Sequence, residues 1–199
     1  YDKLFKVKPS KEIGYIKEIN KIIEQYKIDF LIPVSEVEIN NVYLKNKISK
    51  DLKVLLPNKL ALNVGLNKYK TINFLEDNNI DCPKTQKLNE NLKLSFPLIA
   101  KQISGSGGKN IYKLDSKFDY DYIKSKFKNY IVQEFIGDDD NEFTCGLFRS
   151  KSGLIRSIIF KRKLGEGGHS NFGEVIDDKR IWAAYPNDIK FIKFPIPNR

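Results

Sequence analysis

The sequence contains no methionine, and its 199 residues open on Tyr1. An ordinary composition would give about four methionines in a chain of this length. One hypothesis is that some residues, methionines among them, are missing from the sequence. On that hypothesis, neighbours in this numbering need not be bonded.

Long apolar runs are also lacking. None approaches the roughly 20 residues that span a bilayer, and no signal peptide is visible. The only two cysteines, Cys82 and Cys145, lie in unrelated contexts. We therefore expect a cytoplasmic protein with two free thiols and no membrane partner. The length allows one large domain or two small ones, with a real core.

The charge is unbalanced, with 35 Lys and Arg against 25 Asp and Glu, and a net charge of +10. Such an excess raises the hypothesis of a nucleic-acid-binding protein. However, the lysines are spread along the chain among Asn and Ile residues. No basic helix, zinc-ligand set or aromatic and basic ribonucleoprotein motif stands out. We keep nucleic-acid binding only as the weakest alternative.

Apolar periodicity predicts the elements of the first third. Ser10 is a candidate N-cap for a helix, because isoleucines follow it at helical spacing: Ile13, Ile16, Ile19, Ile22 and Ile23. The apolar run from Ile28 to Pro33 predicts a parallel strand buried on both faces. Another strand is expected at Val54–Leu56, followed by a turn and a helix start within residues 58–65.

The remainder predicts helices and antiparallel strands. Helices are expected within residues 67–83 and 118–130, and strands over residues 130–137, 141–148 and 154–164. The stretch "FPLIAKQISGSGGKNIYKL", residues 96–114, predicts a hairpin. The fold class is therefore α/β at the start, followed by mixed antiparallel α+β.

The hairpin at residues 96–114 carries the strongest chemical signal. Its first strand ends in a lysine, Lys101, and its turn holds three glycines, Gly105, Gly107 and Gly108. A structural hairpin needs only two to five loop residues and has no need of that lysine. A phosphate site needs both features, since glycines expose backbone N–H groups and lysine supplies a point charge. Alone, Lys101 would be read as a solvated side chain.

Four segments, in order, resemble the ATP-grasp superfamily, and within it the branch of the carbamoyl-phosphate synthase large chain and biotin carboxylase. The resemblance covers roughly residues 10–181. The family's helix motif has Asp where this chain has Asn67, and its hairpin has Pro where this chain has Gln102. The segments are "YIKEINKIIEQYKIDFLIPVSEVEI", "NKYKTINFLEDNNIDCPKT", "FPLIAKQISGSGGKNI" and "IVQEFIGDDDNEFTCGLF".

This resemblance implies a domain organisation. Residues 1–66 would be the end of a Rossmann-like domain that precedes the ATP-grasp module. Residues 67–133 would be the first ATP-grasp subdomain, with the glycine-rich loop, and residues 134–199 an incomplete second subdomain. We therefore expect the sequence to be truncated at both ends.

The resemblance also implies an ATP site. Lys68 and Lys101 would contact the α- and β-phosphates. Glu142 would accept hydrogen bonds from the ribose hydroxyls, and Arg162 would steady an acyl phosphate or the γ-phosphate. Two groups of neighbours complete the site: a mobile lid of Gly105, Ser106, Gly107 and Gly108, and an adenine-reading strip of Glu134, Phe135 and Ile136.

The family holds Mg²⁺ with two acidic residues and an asparagine, commonly in "E-x-N-x-R". That motif is not found here, since "PIPNR" supplies only Asn198 and Arg199, and the metal ligands stay unknown. His169 is either a general base or, as we favour, a loop residue near the substrate.

The expected function is that of an ATP-dependent ligase that uses ATP and Mg²⁺ to activate a carboxylate or bicarbonate for attack by an amine or similar nucleophile. Its partners would be ATP and a small carboxylate, with a homodimer left open. The alternative is a nucleotide-binding module without ligase activity. The sequence does not identify the acceptor.

Overall fold

The computed structural model describes residues 2–45, 48, 52–105, 110–138, 140–150, 152–165 and 170–177. Three of the four residues of the expected lid, Ser106, Gly107 and Gly108, lie outside these ranges, as does His169. The described residues form five helices and three sheets. None of the helices within these ranges is long and apolar enough to cross a membrane.

The first helix, α1 (Tyr15–Tyr26), begins later than predicted. Its N-cap is Gly14 rather than Ser10, because Gly14 adopts a left-handed backbone conformation with φ 101° that breaks the helical path. Ile13 precedes that break and is 98% exposed, so it is not part of the buried helix face. The prediction for Ser10 and Ile13 was therefore wrong, whereas Ile23 is buried.

A short parallel pair follows α1. Strand β1 (Phe30–Leu31) pairs in parallel with β2 (Lys53–Val54), and helix α2 (Glu36–Lys45) lies between them in the chain. The predicted parallel strand is confirmed, but not its burial on both faces, because Phe30 is 51% and Ile32 62% exposed. Strand β1 has a single strand partner among the described residues, and burial on two faces needs packed layers on both.

Two capped helices lead into the main sheet. Helix α3 (Lys59–Gly65) begins after Asn58, and α4 (Lys68–Asp77) begins after Asn67. Each asparagine side chain accepts a hydrogen bond from the third residue of its helix, at 2.8 Å for Asn58 and 2.9 Å for Asn67. Both predicted helices are confirmed, and Asn67 is a favourable N-cap residue for α4.

The central sheet has four antiparallel strands in the order β3-β6-β4-β5. These are β3 (Thr85–Lys87), β4 (Leu98–Gln102), β5 (Ile111–Leu114) and β6 (Tyr130–Glu134). The hairpin of β4 and β5 is the one that the sequence predicts. Helix α5 (Lys117–Lys126) begins with a capping box of Ser116 and Asp119. It covers one face of the sheet, whose core residues are Leu88, Leu98, Ala100, Leu114, Tyr120, Ile123, Tyr130 and Val132.

A third sheet holds β7 (Phe143–Arg149), β8 (Ile155–Leu164) and β9 (Ser170–Val175), all antiparallel. The hairpin of β7 and β8 is confirmed. Strand β9 was not predicted, because its sequence "SNFGEV" has few strand-forming residues and all six residues are exposed.

Candidate functional site

The two faces of the central sheet differ in chemistry. Alternation along the strands places Leu98, Ala100 and Val132 toward α5. The opposite face carries Lys101 on β4 and Gln133 on β6, with Thr85 directly across from Gln133 on β3. On this face, which we call the polar face, these polar and basic side chains lie beside the apolar Ile99 and Ile131, and a charged ligand could bind to the polar side chains.

Lys101 lies in the middle of this polar face. Its ammonium donates to Oε1 of Gln133 at 3.0 Å, and within the described ranges it forms no ion pair. Burial lowers the pKa of Lys101 below its ordinary value of 10.5, the positive charge of Lys68 lowers this pKa further, and the Glu142 carboxylate partly opposes the shift. An ammonium in this setting has a strong electrostatic preference for an anionic ligand.

Lys68 approaches the same place from the first turn of α4. Its Nζ donates to the backbone carbonyl of Gly105 at 2.6 Å, and its backbone N–H donates to the carbonyl of Ile103 at 2.9 Å. These two bonds hold the start of α4 against the end of β4. The positive end of a helix dipole and two ammonium groups thus lie together beside the β4–β5 loop.

Glu142 and Arg162 bring the third sheet to this region. Arg162 Nη2 lies 2.8 Å from Glu142 Oε1, and the backbone N–H of Arg162 donates to the carbonyl of Glu142 at 2.9 Å. Arg162 Nη1 also donates to Ser170 Oγ at 3.3 Å, while its Nε is buried without a hydrogen-bond partner in the part of the chain that the structure describes. The side chain of Arg162 therefore retains an unused donor.

The proposed adenine strip lies at and beyond the end of β6. The Glu134 carboxylate accepts a hydrogen bond from the backbone N–H of Lys84 at 2.8 Å, so this side chain is held by the residue that directly precedes β3. Phe135 donates its backbone N–H to Pro97 at 3.2 Å. The next residue, Ile136, is 66% exposed, and its backbone N–H has no acceptor among the described residues. Backbone groups rather than the Glu134 carboxylate are therefore available there.

The sequence-predicted residues are thus grouped as follows. Lys68, Lys101 and Gly105 lie together, and Glu142 lies within electrostatic reach of Lys101 with Arg162 bound to it. The strip from Glu134 to Ile136 follows directly on Gln133.

Gln133 and Thr85 were missed as site residues. Gln133 is adjacent to the motif residue Glu134, but its place beside Lys101 follows from the register of β4 and β6, which the sequence does not signal.

Metal ligands are not assembled by the described residues. Within them, no group of three or more His, Cys, Asp or Glu side chains could hold a metal ion. The described residues therefore supply no ligand set for the expected Mg²⁺.

Comparison with known proteins finds similar sequences and similar folds. Residues 66–142 match the model of the ATP-grasp domain family. A curated relative, carbamoyl-phosphate synthase of Methanobrevibacter smithii, is 24% identical over 131 residues, which are 63% of this chain and 35% of that protein. The chain thus spans about a third of the length of this relative.

Two solved structures share the fold. The biotin carboxylase domain of 2-oxoglutarate carboxylase from Hydrogenobacter thermophilus, determined with MgADP, ADP and bicarbonate, aligns with a TM-score of 0.64 at 10% identity, over 84% of this chain and 41% of that one. An L-amino acid ligase from Bacillus licheniformis aligns with a TM-score of 0.55 at 16% identity, over 82% and 40% of the two chains. Residues 66–142 are therefore similar to the ATP-grasp domain family, and the described chain shares the fold of ATP-grasp ligases.

Proposed function

We propose that this protein is an ATP-dependent ligase that activates a carboxylate or bicarbonate as an acyl phosphate. The observation that carries the proposal is the meeting of Lys68 and Lys101 beside Gly105, where Lys101 has a neutral rather than an anionic partner. Two like charges held close together are costly unless a polyanion joins them. A nucleoside triphosphate, which carries about four negative charges on its three phosphates, meets that requirement.

The chain's own residues would position the reactants and stabilise charge. Lys68 and Lys101 would hold the phosphates in line with an incoming carboxylate oxygen. That oxygen forms a bond to the terminal phosphorus as the bond to the bridging oxygen breaks, and ADP leaves. A nucleophile such as an amine then attacks the acyl carbon, phosphate departs with its oxygen, and the amine loses a proton. The Arg162 guanidinium, which contacts Glu142 and Ser170, would steady the acyl phosphate.

The adenosine would be recognised by the segment that follows β6. Ile136 is exposed, and its backbone N–H has no acceptor in the part of the chain that the structure describes, which supports an adenine-reading role. Backbone groups of a fixed strip suit the N6 donor and N1 acceptor of adenine, whereas guanine reverses that pattern. Glu142 would accept from the ribose hydroxyls through the oxygen that does not bind Arg162.

The substrate class is tested by trapping the activated carboxylate. The protein is incubated with ATP, Mg²⁺ and hydroxylamine, together with single members of a panel of amino acids, other small carboxylates and bicarbonate. For a carboxylic acid, the expected result is ADP release that depends on the carboxylate, with a matching yield of hydroxamate. For bicarbonate, transfer of ¹⁸O from bicarbonate to phosphate replaces the hydroxamate readout.

The control is the same reaction with Lys101→Ala, which should lose both products. ATP binding without turnover for any carboxylate would overturn the ligase proposal and favour a nucleotide-binding module. Equal affinity for inorganic triphosphate and for a monovalent anion would overturn the phosphate site itself.

A further inference from the structure

A chain of three hydrogen bonds ends on the Lys101 ammonium. The Thr85 hydroxyl donates to the carbonyl of Pro83 at 2.8 Å. Gln133 Nε2 donates to Thr85 Oγ1 at 2.9 Å, and Gln133 Oε1 accepts from Lys101 Nζ at 3.0 Å. The chain thus runs across β3, β6 and β4, on the sheet face opposite α5.

The direction of this chain is set by donor and acceptor chemistry. A hydroxyl has one proton, and Thr85 uses it on Pro83, so toward Gln133 it can only accept. The Gln133 amide must therefore turn its nitrogen to Thr85 and its oxygen to Lys101. The ammonium has no acceptor capacity, so it requires the same orientation from the other end.

The burial of Gln133 gives the chain its rigidity. Gln133 is 8% exposed, and both ends of its amide are bonded. A turned amide would set its nitrogen against the Lys101 ammonium, donor to donor, and its oxygen against the Thr85 hydroxyl, whose proton is already used on Pro83. Buried polar groups would then be unsatisfied, which is costly. The neutral partner also matters, because a carboxylate in its place would neutralise the ammonium that it holds.

We propose that Gln133, oriented by Thr85, is a positioning residue that holds the Lys101 ammonium on the polar face of the sheet while leaving its charge free for a polyphosphate. This inference rests on the proposed function for the identity of the anion. The structural part, that Gln133 and Thr85 govern the position and charge of Lys101, stands without nucleotide.

The decisive variant is Gln133→Glu, which keeps the shape of the side chain and adds a negative charge beside Lys101. We expect at least tenfold weaker binding of ATP and of inorganic triphosphate, measured by calorimetry. We also expect the pKa of Lys101 to be higher in Gln133→Glu than in the original protein. This pKa is measured without any ligand, by NMR of lysine side chains labelled with ¹⁵N at Nζ. The Lys101 signal is assigned by its loss in Lys101→Arg.

Thr85 supplies a second pair of variants that spare Gln133. Thr85→Val removes the hydroxyl and should weaken triphosphate binding about threefold to tenfold, because the amide is no longer oriented. Thr85→Ser keeps the hydroxyl and should retain the affinity of the original protein. The pair keeps the test available if Gln133→Glu does not fold.

Gln86 provides the matched control. It is the other buried glutamine, at 7% exposed, but its amide bonds to Asn91 and Lys93 on the α5 side of the sheet. Gln86→Met and Gln133→Met should both lower the free energy of unfolding, but only Gln133→Met should weaken triphosphate binding and shift the pKa of Lys101.

The outcomes separate the two proposals. A Lys101 pKa that is equal in the original protein and in Gln133→Glu would overturn the positioning role, as would loss of affinity in Gln86→Met equal to that in Gln133→Met. Failure of the original protein to bind ATP or triphosphate would overturn the proposed function, whereas a shifted Lys101 pKa in Gln133→Glu would still support the positioning role.

Discussion

Glu142 and Arg162 form a half-buried ion pair in which Glu142 Oε1 lies 2.8 Å from Arg162 Nη2. The pair joins the residue before β7 to β8, and it uses only one oxygen of the carboxylate. In the structural alternative, the sequence predicts that Glu142 only pairs with a neighbouring lysine, whereas its observed partner is Arg162. Because this pair is compatible both with a structural role and with the proposed ribose contact, an experiment must separate the two roles.

The proposed ribose role predicts unequal effects of Glu142→Gln on two nucleotides. A hydrogen bond to a charged acceptor contributes about 1 kcal/mol more than one to a neutral acceptor. We expect about fivefold weaker binding of ATP and a smaller loss for 2′-deoxy-ATP, measured by calorimetry. A variant that is less stable but keeps the ratio of the two affinities would show that Glu142 only pairs with Arg162.

The proposed phosphate role predicts that Lys101→Ala weakens ATP binding. Loss of one charge-assisted contact should cost about 1.5–3 kcal/mol, or tenfold and more in affinity. Lys70→Ala is the control, because Lys70 is exposed on α4 and its loss changes the net charge equally. If both variants are folded, as judged by circular dichroism, and bind ATP with equal affinity, Lys101 is not part of the ATP site.

The lowered pKa of Lys101 predicts a pH dependence of binding. A bound polyphosphate favours the charged ammonium and raises this pKa, so ATP binding takes up protons at pH values between the free and bound pKa. Affinity should fall as the pH rises through the lowered pKa, by at most about tenfold per pH unit. Calorimetry in alkaline buffers of different ionisation enthalpy measures the proton uptake.

Lys101→Arg is the control for this pH dependence, because arginine stays charged throughout and should abolish the proton uptake. A second readout needs no ligand. The unfolded chain binds more protons than the folded one between the lowered pKa and the ordinary value of 10.5, so this lysine makes the free energy of unfolding rise with pH in that window. A decrease caused by Lys101 in the same window would contradict the direction of the shift.

The hairpin of β4 and β5 and the starts of α3 and α4 were predictable because their signals are local. Asn58 and Asn67 cap helices through their own side chains, and the glycine-rich stretch separates two apolar strands that differ from their turn in composition. Such features depend on a few neighbouring residues. The resemblance then supplied roles for Lys68 and Lys101 that composition alone could not give.

The errors concern properties that depend on distant neighbours or on backbone conformation. The exposure of Phe30 reflects which layers pack on β1, and the late start of α1 reflects the left-handed backbone of Gly14. The roles of Thr85 and Gln133 depend on the register between three strands. Register follows from the assembled sheet, so a sequence reading places these residues in strands without bringing them to Lys101.

Gly105 supplies a prediction about backbone geometry at the site. Its φ of +132° is a conformation that side chains with a Cβ rarely adopt, and its carbonyl accepts the Lys68 ammonium at 2.6 Å. Gly105→Ala should therefore lower the free energy of unfolding by about 1–2 kcal/mol or shift that carbonyl, and in either case weaken ATP binding several-fold.

Gly153→Ala is the matched control, since Gly153 has φ +84° in the turn between β7 and β8 with no atom within 4 Å of an added Cβ. It should destabilise the protein to a similar extent in urea unfolding and leave ATP affinity unchanged. Equal effects of the two alanines on ATP affinity would show that Gly105 acts through general stability and not through Lys68.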